Sequence, residues 1–574
     1  MKYRLVNENF KDKYAENYIK SKGIEDIEKY IHPDTMCINS PSNFDNIEAG
    51  ANLLIDIINN NKNILLIVDS DNDGFTSSAI IYQYIKKVNK DINITYRLHE
   101  GKQHGLEDHI DWILEHSDEF DLVILPDSSS NDFVYHEQLK EKNIPCLILD
   151  HHITDEQISE NAVIINNQLS ASYSNKELTG AGVVWQFCRY CDSILKTNYS
   201  KDLIDLAAWG IIGDMGSMLE IENRYIVKNG LENVNNYFLK TLIDKQSYSM
   251  GGEVTPITVA FYIVPLVNAM IRVGTMDEKE RLFLAFIDGH QMVPCNKRGA
   301  KGTFEEVAIE SARECTNART RQNKIKDEAV NNLEIKIHKY GLLDNKVLFV
   351  RLDEDDQFPA VLNGLVAMQL SAKFKKPTIV ARLNDEDYCR GSARGLNQSE
   401  LTSFKEFLDS THMFEYTAGH DNAFGISISN KILSDFHNYA NEHLANIDFG
   451  ENVYDVNFVR KACDSDIKNI ILDLYKYRDL WGQDLSEPLI YINDINLTRN
   501  DIQIIGKNAD TVKFEKFGVT YIQFHAKQLI EDLAKYDDIK MEVIGRANIN
   551  EWMGNITPQI FIEGYEVSDG SLSF

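Results

Sequence analysis

The chain reads as an α/β protein organised on a parallel sheet, and three observations predict it. Short continuous apolar runs recur within one hundred residues: Ile64 to Val68, then DLVILPD at Asp121 to Asp127, then PCLILDHH at Pro145 to His152. Such runs, bounded by turn residues, are the pattern of strands buried on both faces. Each run ends in ionisable residues: Asp69, Asp71 and Asp73 after the first, Asp127 after the second, and Asp150, His151 and His152 after the third. Strand and helix patterns then alternate from about Asn46 to Tyr248, the grammar of a doubly wound fold whose site lies beyond the carboxyl ends of its strands.

Taken in order, Met1 to about Asn43 reads as short helices with polar connections. After the first run a helix is expected from near Thr76, with Ala79, Ile80, Tyr84 and Ile85 at helical spacing. Ile94 to His99 is a further short strand, with Arg97 near its end. GKQHGL at Gly101 to Leu106 is a loop. FCRYC, with Cys188 and Cys191, lies in a helical pattern without a second pair, which makes these cysteines packing residues. A helix begins the stretch Asp202 to Met218, and Asp214 within it is costly to bury unless paired or metal-bound. Ala260 to Gly274 is apolar and helical apart from Asn268 and Arg272. HQMVPCNKRGAKGT is a basic surface insertion whose Lys297, Arg298 and Lys301 are candidates for nucleic-acid contact.

A long helix of mixed charge runs from Phe304 to about Leu342, with Arg319 and Arg321 expected to pair with acids at i,i+4. KVLFVRL and PTIVARL are strands of a second α/β unit, separated by a helix from about Ala360 to Lys375. Gly391-Ser392-Ala393-Arg394 and Ala418 to Gly425, with His420, read as small-residue loops. The first brings together backbone donors, a hydroxyl and a guanidinium, which suits phosphate. Asn430 to about Trp481 is mainly helical. From Glu487 to Glu566, five or six short β runs and one helix near Lys527 to Tyr536 fit an OB-fold. Half of Phe514, Phe517, Tyr521 and Phe524 should be core by alternation.

The 574 residues carry 43% hydrophobic and 26% charged residues, enough for three or four domains with sizeable cores. No run of eighteen apolar residues occurs, so no transmembrane helix is expected. The N-terminus lacks a signal-peptide core, and eight scattered cysteines suit an intracellular, reduced protein. The net charge of −29 argues against a protein that coats duplex DNA. Five carboxylates and two imidazoles at one sheet edge repel one another unless a cation neutralises them. Oxygen ligands with imidazole suit Mn²⁺, and mostly oxygen suits Mg²⁺.

These motifs resemble the DHH phosphoesterase superfamily, and their order resembles RecJ-type single-strand exonucleases. D-x-D-G-x-T-S matches Asp71 to Ser77. The second motif matches Asp127, the third is Asp150-His151-His152, and the fourth, G-x-x-x-D, is GIIGD ending in Asp214. P-x-x-N-A-x-G-R-x-G resembles Pro265 to Gly274, G-S-A-R is Gly391 to Arg394, and G-G-H-x-x-A-x-G resembles Ala418 to Gly425. GKQHGL resembles the family's G-Y-G-L. Departures include Ile67 where some members place a His, Ser128 to Ser130 after the second motif, and Ile271 before Arg272.

The resemblance implies a parallel-sheet DHH catalytic domain, a long linker helix, a second α/β DHHA1 domain and a C-terminal β-rich OB-fold. The expected bounds are 1–45 for an N-terminal helical segment, 46–250, 251–342 for the linker with its insertion, 343–445, 446–484 for a helical connection, and 485–574. It implies two divalent ions, Mn²⁺ or Mg²⁺, on Asp71, Asp73, Asp127, His151 and Asp214, with Asp127 bridging. His152 contacts the scissile phosphate or leaving group, and Asp69 and Asp150 orient the ligands. Arg97, His104, Arg272, Ser392, Arg394 and His420 hold the substrate. The implied activity is 5′-to-3′ degradation of single-stranded DNA in recombination, repair or replication, by a cytoplasmic monomer fed by a helicase or a single-strand-binding protein. Two other readings stay open: a phosphodiesterase of short oligonucleotides or cyclic dinucleotides, and a non-catalytic scaffold.

Overall fold

The computed structural model describes residues 1–101, 103–154, 159–297, 299–300 and 302–572. Of the basic insertion, Arg298 and Lys301 lie outside the described residues, and Lys297 pairs with Glu305 at 3.3 Å. The chain begins with strand β1 (Lys2–Leu5) and then lays down β2 (Ile64–Val68), β3 (Ile94–Leu98), β4 (Leu122–Pro126), β5 (Cys146–Asp150) and β6 (Val163–Asn166). It divides into two compact units. The first holds residues 24–322 and 479–486, and the second holds 1–23, 323–478 and 487–574.

In the first unit β2 to β6 form a parallel sheet in the order β3-β2-β4-β5-β6. Every residue of β2, β4 and β5 is buried, as expected when helices cover both faces. One face packs Leu65, Ile67, Val123, Leu125 and Ile148 against Leu106, Ile110, Ile113 and Leu139. The strand order reverses at β2: the chain leaves it for β3 on one side and returns as β4 on the other. The crevice between the carboxyl ends of β2 and β4 is therefore a topological switch point, where such sheets bind ligands. The helix after β2 spans Asn72–Val88, four residues earlier than expected, because the Asp71 carboxylate caps it by accepting from Gly74 N at 2.9 Å.

The expected helix at Asp202 is a 3₁₀ segment, Tyr199–Leu203, followed by the α-helix Ile204–Gly213. The apolar stretch Pro256–Val273 has the length and mean hydropathy, 1.6, of a membrane-crossing helix. Half of it is buried within the protein, and it divides into the helices Pro256–Tyr262 and Val264–Val273. The insertion is anchored by a small hairpin of β7 (Met292–Pro294) and β8 (Phe304–Glu306). The long helix spans Val307–Lys339. Its arginines do not form the expected i,i+4 pairs: Arg321 reaches Glu278 at 2.8 Å and Arg319 donates to Gln322.

The second unit carries β9 (Leu348–Leu352), β10 (Thr378–Leu383), β11 (Tyr388–Arg394), β12 (Phe414–His420) and β13 (Ala423–Ser429), in the order β12-β13-β11-β10-β9. Gly391 to Arg394, read as a loop, is thus strand, whereas Ala418 to Gly425 is a hairpin tip that turns at Asp421 and Asn422 with His420 exposed. Glycine serves there for close approach: a Cβ at Gly391 would lie 2.1 Å from the Val380 carbonyl oxygen. The helical readings of 1–45 and 446–484 also need correction. β1 pairs in parallel with β14 (Val453–Val456), and β15 (Phe458–Lys461) follows before the helix Ile467–Lys476. The β1–β14 pairing joins residues some 450 positions apart, and no local pattern encodes it.

The remaining strands are β16 (Leu489–Thr498), β17 (Ile502–Ile505), β18 (Thr511–Lys516), β19 (Val519–Gln523), β20 (Asp538–Trp552) and β21 (Asn555–Asp569). With β15 they form one sheet, β15-β16-β20-β21-β19-β18-β17, with the helix Lys527–Leu533 beside it. Phe514 and Tyr521 stack in the core with centroids 4.8 Å apart, whereas Phe517 and Phe524 are exposed.

Candidate metal centre

The ends of β2, β4 and β5 bring Asp69, Asp71, Asp73, Asp127 and His151 together, and the end of the helix Ile204–Gly213 adds Asp214. His151 Nε2 lies 3.2 Å from Asp127, 3.5 Å from Asp214 and 4.0 Å from Asp73. Three sets of donor atoms each fall within 4.8 Å of one another: Asp73–His151–Asp214, Asp127–His151–His152 and Asp69–Asp71–Asp127.

Backbone geometry presses these groups together. Asp127 has φ 64°, a left-handed conformation that is uncommon for a non-glycine residue and frequent at functional sites. A Cβ on Gly180 would lie 2.4 Å from Asp127 Oδ1, and one on Gly210 would lie 2.2 Å from Asp73 Oδ1. Asp73 Oδ1 accepts from Thr179 Oγ1 and Ala181 N, both at 3.1 Å. Among the described residues its Oδ2 is buried without a hydrogen-bond partner, as are Asp127 Oδ1 and Asp69 Oδ1. Three orphaned carboxylate oxygens in one crevice are costly unless a cation meets them, so the residues present fit divalent metal.

The electrostatics agree. Burial, then the Asp71 charge, pushes the Asp73 carboxyl up to about 7. Burial and the surrounding carboxylates hold Asp127 well above the usual range. Burial and the Asp73 and Asp71 charges do the same to Asp214. Burial and the nearby His152 lower His151 to about 4, which leaves a neutral imidazole, the form that ligates metal. Burial opposes a charge on His152, but the Asp150 contact outweighs it and raises the ring to about 10.

Asp150 uses both carboxylate oxygens in hydrogen bonds. Its Oδ1 accepts from His151 N at 2.7 Å, His152 N at 3.2 Å and His152 Nδ1 at 2.8 Å, and its Oδ2 accepts from Ser130 N at 3.1 Å. Asn166, which the sequence reading missed, donates to Ser130 Oγ and the His152 carbonyl. No local signal marks it, since it ends a neighbouring strand.

The substrate candidates fall in different places. Arg272 lines a cavity of about 140 Å³ with Ser70, Asp71, Asn72, Asp214 and Asn268. Arg97 is not drawn into the cluster: its guanidinium lies 4.0 Å from the Trp112 ring centroid and donates to His109 Nδ1 at 3.4 Å. His104 bonds Asp69 at 2.6 Å. In the second unit, register sets Ser392 opposite Gly425 and Ala418, and Arg394 opposite Ala423 and His420. Ser392, Arg394 and His420 therefore share one sheet face, with small residues between them. The Arg394 guanidinium lies against Gly364, in the first turn of the helix Asn363–Phe374.

Residues 63–211 match the DHH family, N-terminal domain, and residues 463–564 match the RecJ OB domain. A putative prophage-derived single-strand DNA-specific exonuclease of Bacillus subtilis is 37% identical over 576 residues, covering 99% of this chain and 98% of that protein. The chain belongs to the RecJ family. The single-stranded-DNA-specific exonuclease RecJ of B. subtilis is 25% identical over 564 residues, covering 96% of this RecJ-family chain and 67% of its relative. The fold is also that of RecJ from Thermus thermophilus in complex with Mn²⁺, with a TM-score of 0.72 at 17% identity over 98% of this chain and 79% of that one.

Proposed function

We propose that this RecJ-family chain is a metal-dependent exonuclease that degrades single-stranded DNA from the 5′ end. The observation that carries the reading is the trio of orphaned oxygens on Asp69, Asp73 and Asp127 beside the neutral His151 ring. Asp71, Asp73, Asp127, His151 and Asp214 would hold two divalent ions, Mn²⁺ or Mg²⁺. When bound, such ions supply an activated water and neutralise charge on the oxygens of an in-line displacement.

The chain's own groups do the rest. Asp150 takes four hydrogen bonds and so fixes both histidines. His152, cationic and bonded through Nδ1, keeps its second nitrogen to donate to the phosphate or the departing oxygen. Arg272 meets a phosphate oxygen at the mouth of the crevice. Ser392 and Arg394, with His420 and the first turn of the helix Asn363–Phe374, hold the 5′ phosphate. Arg97, fixed on Trp112, offers charge at the same sheet edge as the metal ligands. Exposed Phe517 and Phe524 give the OB-fold a stacking surface for bases. We place this activity in the cytoplasm, in a monomer supplied with substrate by a helicase or a single-strand-binding protein.

The test is digestion of 5′- and 3′-labelled single strands with Mn²⁺ or Mg²⁺. Mononucleotide from the 5′ label at first turnover is expected. Early release from the 3′ label, or hydrolysis of a dinucleotide alone, would overturn the assignment.

A further inference from the structure

The loop between β3 and the helix Ile110–Glu115 reaches back to the metal centre. His104 Nδ1 lies 2.6 Å from Asp69 Oδ2. Asp69 is 1% exposed, and its other oxygen, Oδ1, has no hydrogen-bond partner among the described residues. That carboxylate belongs to the set in which Asp69, Asp71 and Asp127 place donor atoms within 4.8 Å of one another. A short side chain buried in this position has two oxygens to direct, and the imidazole claims one of them.

The loop is built to deliver this ring. Leu106 is fully buried in the core with Leu65, Ile67, Val123 and Leu125 and anchors the loop. Gly105 turns at φ 75°, and a Cβ there would lie 2.4 Å from Asp132 Oδ2. The same Asp132 oxygen accepts from Leu106 N at 2.9 Å. On the other side of His104, Ser70 Oγ donates to the Gln103 carbonyl at 2.6 Å. The buried Lys279 binds the loop's root, donating to the carbonyls of His99 at 3.2 Å and Glu100 at 2.6 Å. The imidazole is thus held from its own backbone, from β2 and from a helix 175 positions away in the sequence.

We propose that His104 is a positioning residue of the metal centre. By donating to Asp69 Oδ2 it turns Oδ1 toward Asp71 and Asp127, and so sets the affinity of the side of the centre that those three carboxylates line. The proposal rests on the metal-centre reading above and extends it to the loop. It gives His104 a role through Asp69 in place of direct substrate contact.

The experiment measures Mn²⁺ binding to the full chain by electron paramagnetic resonance, apart from any hydrolysis, in wild type, His104→Ala and His104→Asn. Asn places its amide nitrogen near the site of the lost Nδ1 and keeps a donor. Loss of such an outer hydrogen bond typically weakens metal binding by about 10–100-fold. His104→Ala is expected to weaken binding on that scale with an unchanged melting temperature in metal-free buffer, and His104→Asn to recover most of it. With hydrolysis of single strands measured alongside, the loss should be overcome by added Mn²⁺ and should not raise KM for DNA at saturating metal. Wild-type Mn²⁺ affinity in His104→Ala, or a rise in KM alone, overturns the proposal and leaves the metal centre standing. Equal loss in both variants also overturns it, because the bond is then not the cause. Failure of the wild type itself to bind Mn²⁺ overturns the metal-centre reading, and the proposal with it.

Discussion

The carboxylate crevice at β2, β4 and β5 and the Ser392–Arg394–His420 face on β11 and β12 are both polar sites on open sheet faces or edges, yet they are built by different rules. In the crevice the side chains are buried, the backbone is strained at Asp127, and oxygens are left without partners. On the second face the residues are half-buried or exposed, and strand pairing and alternation align them. A centre that must bind concentrated positive charge tolerates buried, unsatisfied groups. A surface that grips an already solvated phosphate needs only matched donors. Substitutions should therefore be far more damaging in the crevice than on the strand face.

The largest effect is expected from Asp127→Asn. Asn tolerates the left-handed backbone at this position, so the change removes charge without adding strain. Hydrolysis should fall by roughly two to three orders of magnitude or more, the scale of losing one preorganised electrostatic group. The metal-free melting temperature should rise, because the buried carboxylate is repelled by its neighbours. A calorimetric scan in chelator beside a Mn²⁺ rate assay checks both signs. Near-normal turnover would erase the contrast between the two regions.

Arg394→Ala should act more mildly. A charge-assisted contact contributes about 1.5–3 kcal/mol, so affinity for a 5′-phosphorylated strand should fall roughly ten- to hundredfold. Metal dependence should stay unchanged. Comparing kcat/KM on 5′-phosphate and 5′-hydroxyl strands isolates the clamp. Equal losses on both ends would remove Arg394 from it.

How far the sequence carries differs between the two regions in the same way. Asp71, Asp73, Asp127 and His151 were legible because strand ends punctuated by ionisable residues have a local pattern, and Asp214 because an acid in an apolar helical stretch is costly to bury. Asp69 and Asp150 were legible as neighbours of that pattern. The groups around them were not: His104 was read as a substrate contact and not as the partner of Asp69, and Asn166 and Lys279 come from other elements that only the tertiary fold brings in. Gly391 to Arg394 misled in the opposite sense. Small residues favour turns, but here they let strands and a helix approach closely. The strand β1 and its partner β14 were missed because four exposed residues carry no alternation signal.

A smaller, graded effect should appear with pH. Asp73 has a folded-state pKa of about 7, against roughly 3.9 in an unfolded chain. A raised carboxyl pKa means that the folded state holds more protons, so this contribution to stability is complete below about pH 3.9 and is lost as pH rises through 7. Metal-free protein should therefore lose stability across that window, and Mn²⁺ affinity should rise through it as the proton leaves. Denaturation midpoints at several pH values, with and without Mn²⁺, test the signs. A metal-free midpoint that climbs over the same range would contradict them.

The smallest effect belongs to Phe524→Ala on the OB-fold. An exposed stacking ring contributes about 1–3 kcal/mol per base, so binding of long single strands should weaken while hydrolysis of very short ones is unchanged. Fluorescence anisotropy across strand lengths reads this, and a length-independent loss would point to packing against Phe561 instead.

The most direct test of the account is the Mn²⁺ stoichiometry of the full chain, measured by titration calorimetry on wild type, Asp127→Asn and Arg394→Ala. Two ions per chain are predicted for wild type and for Arg394→Ala, with both sites weakened in Asp127→Asn. Unaltered binding of two ions by Asp127→Asn, or none by wild type, would contradict a metal centre shared across the ends of β2, β4 and β5.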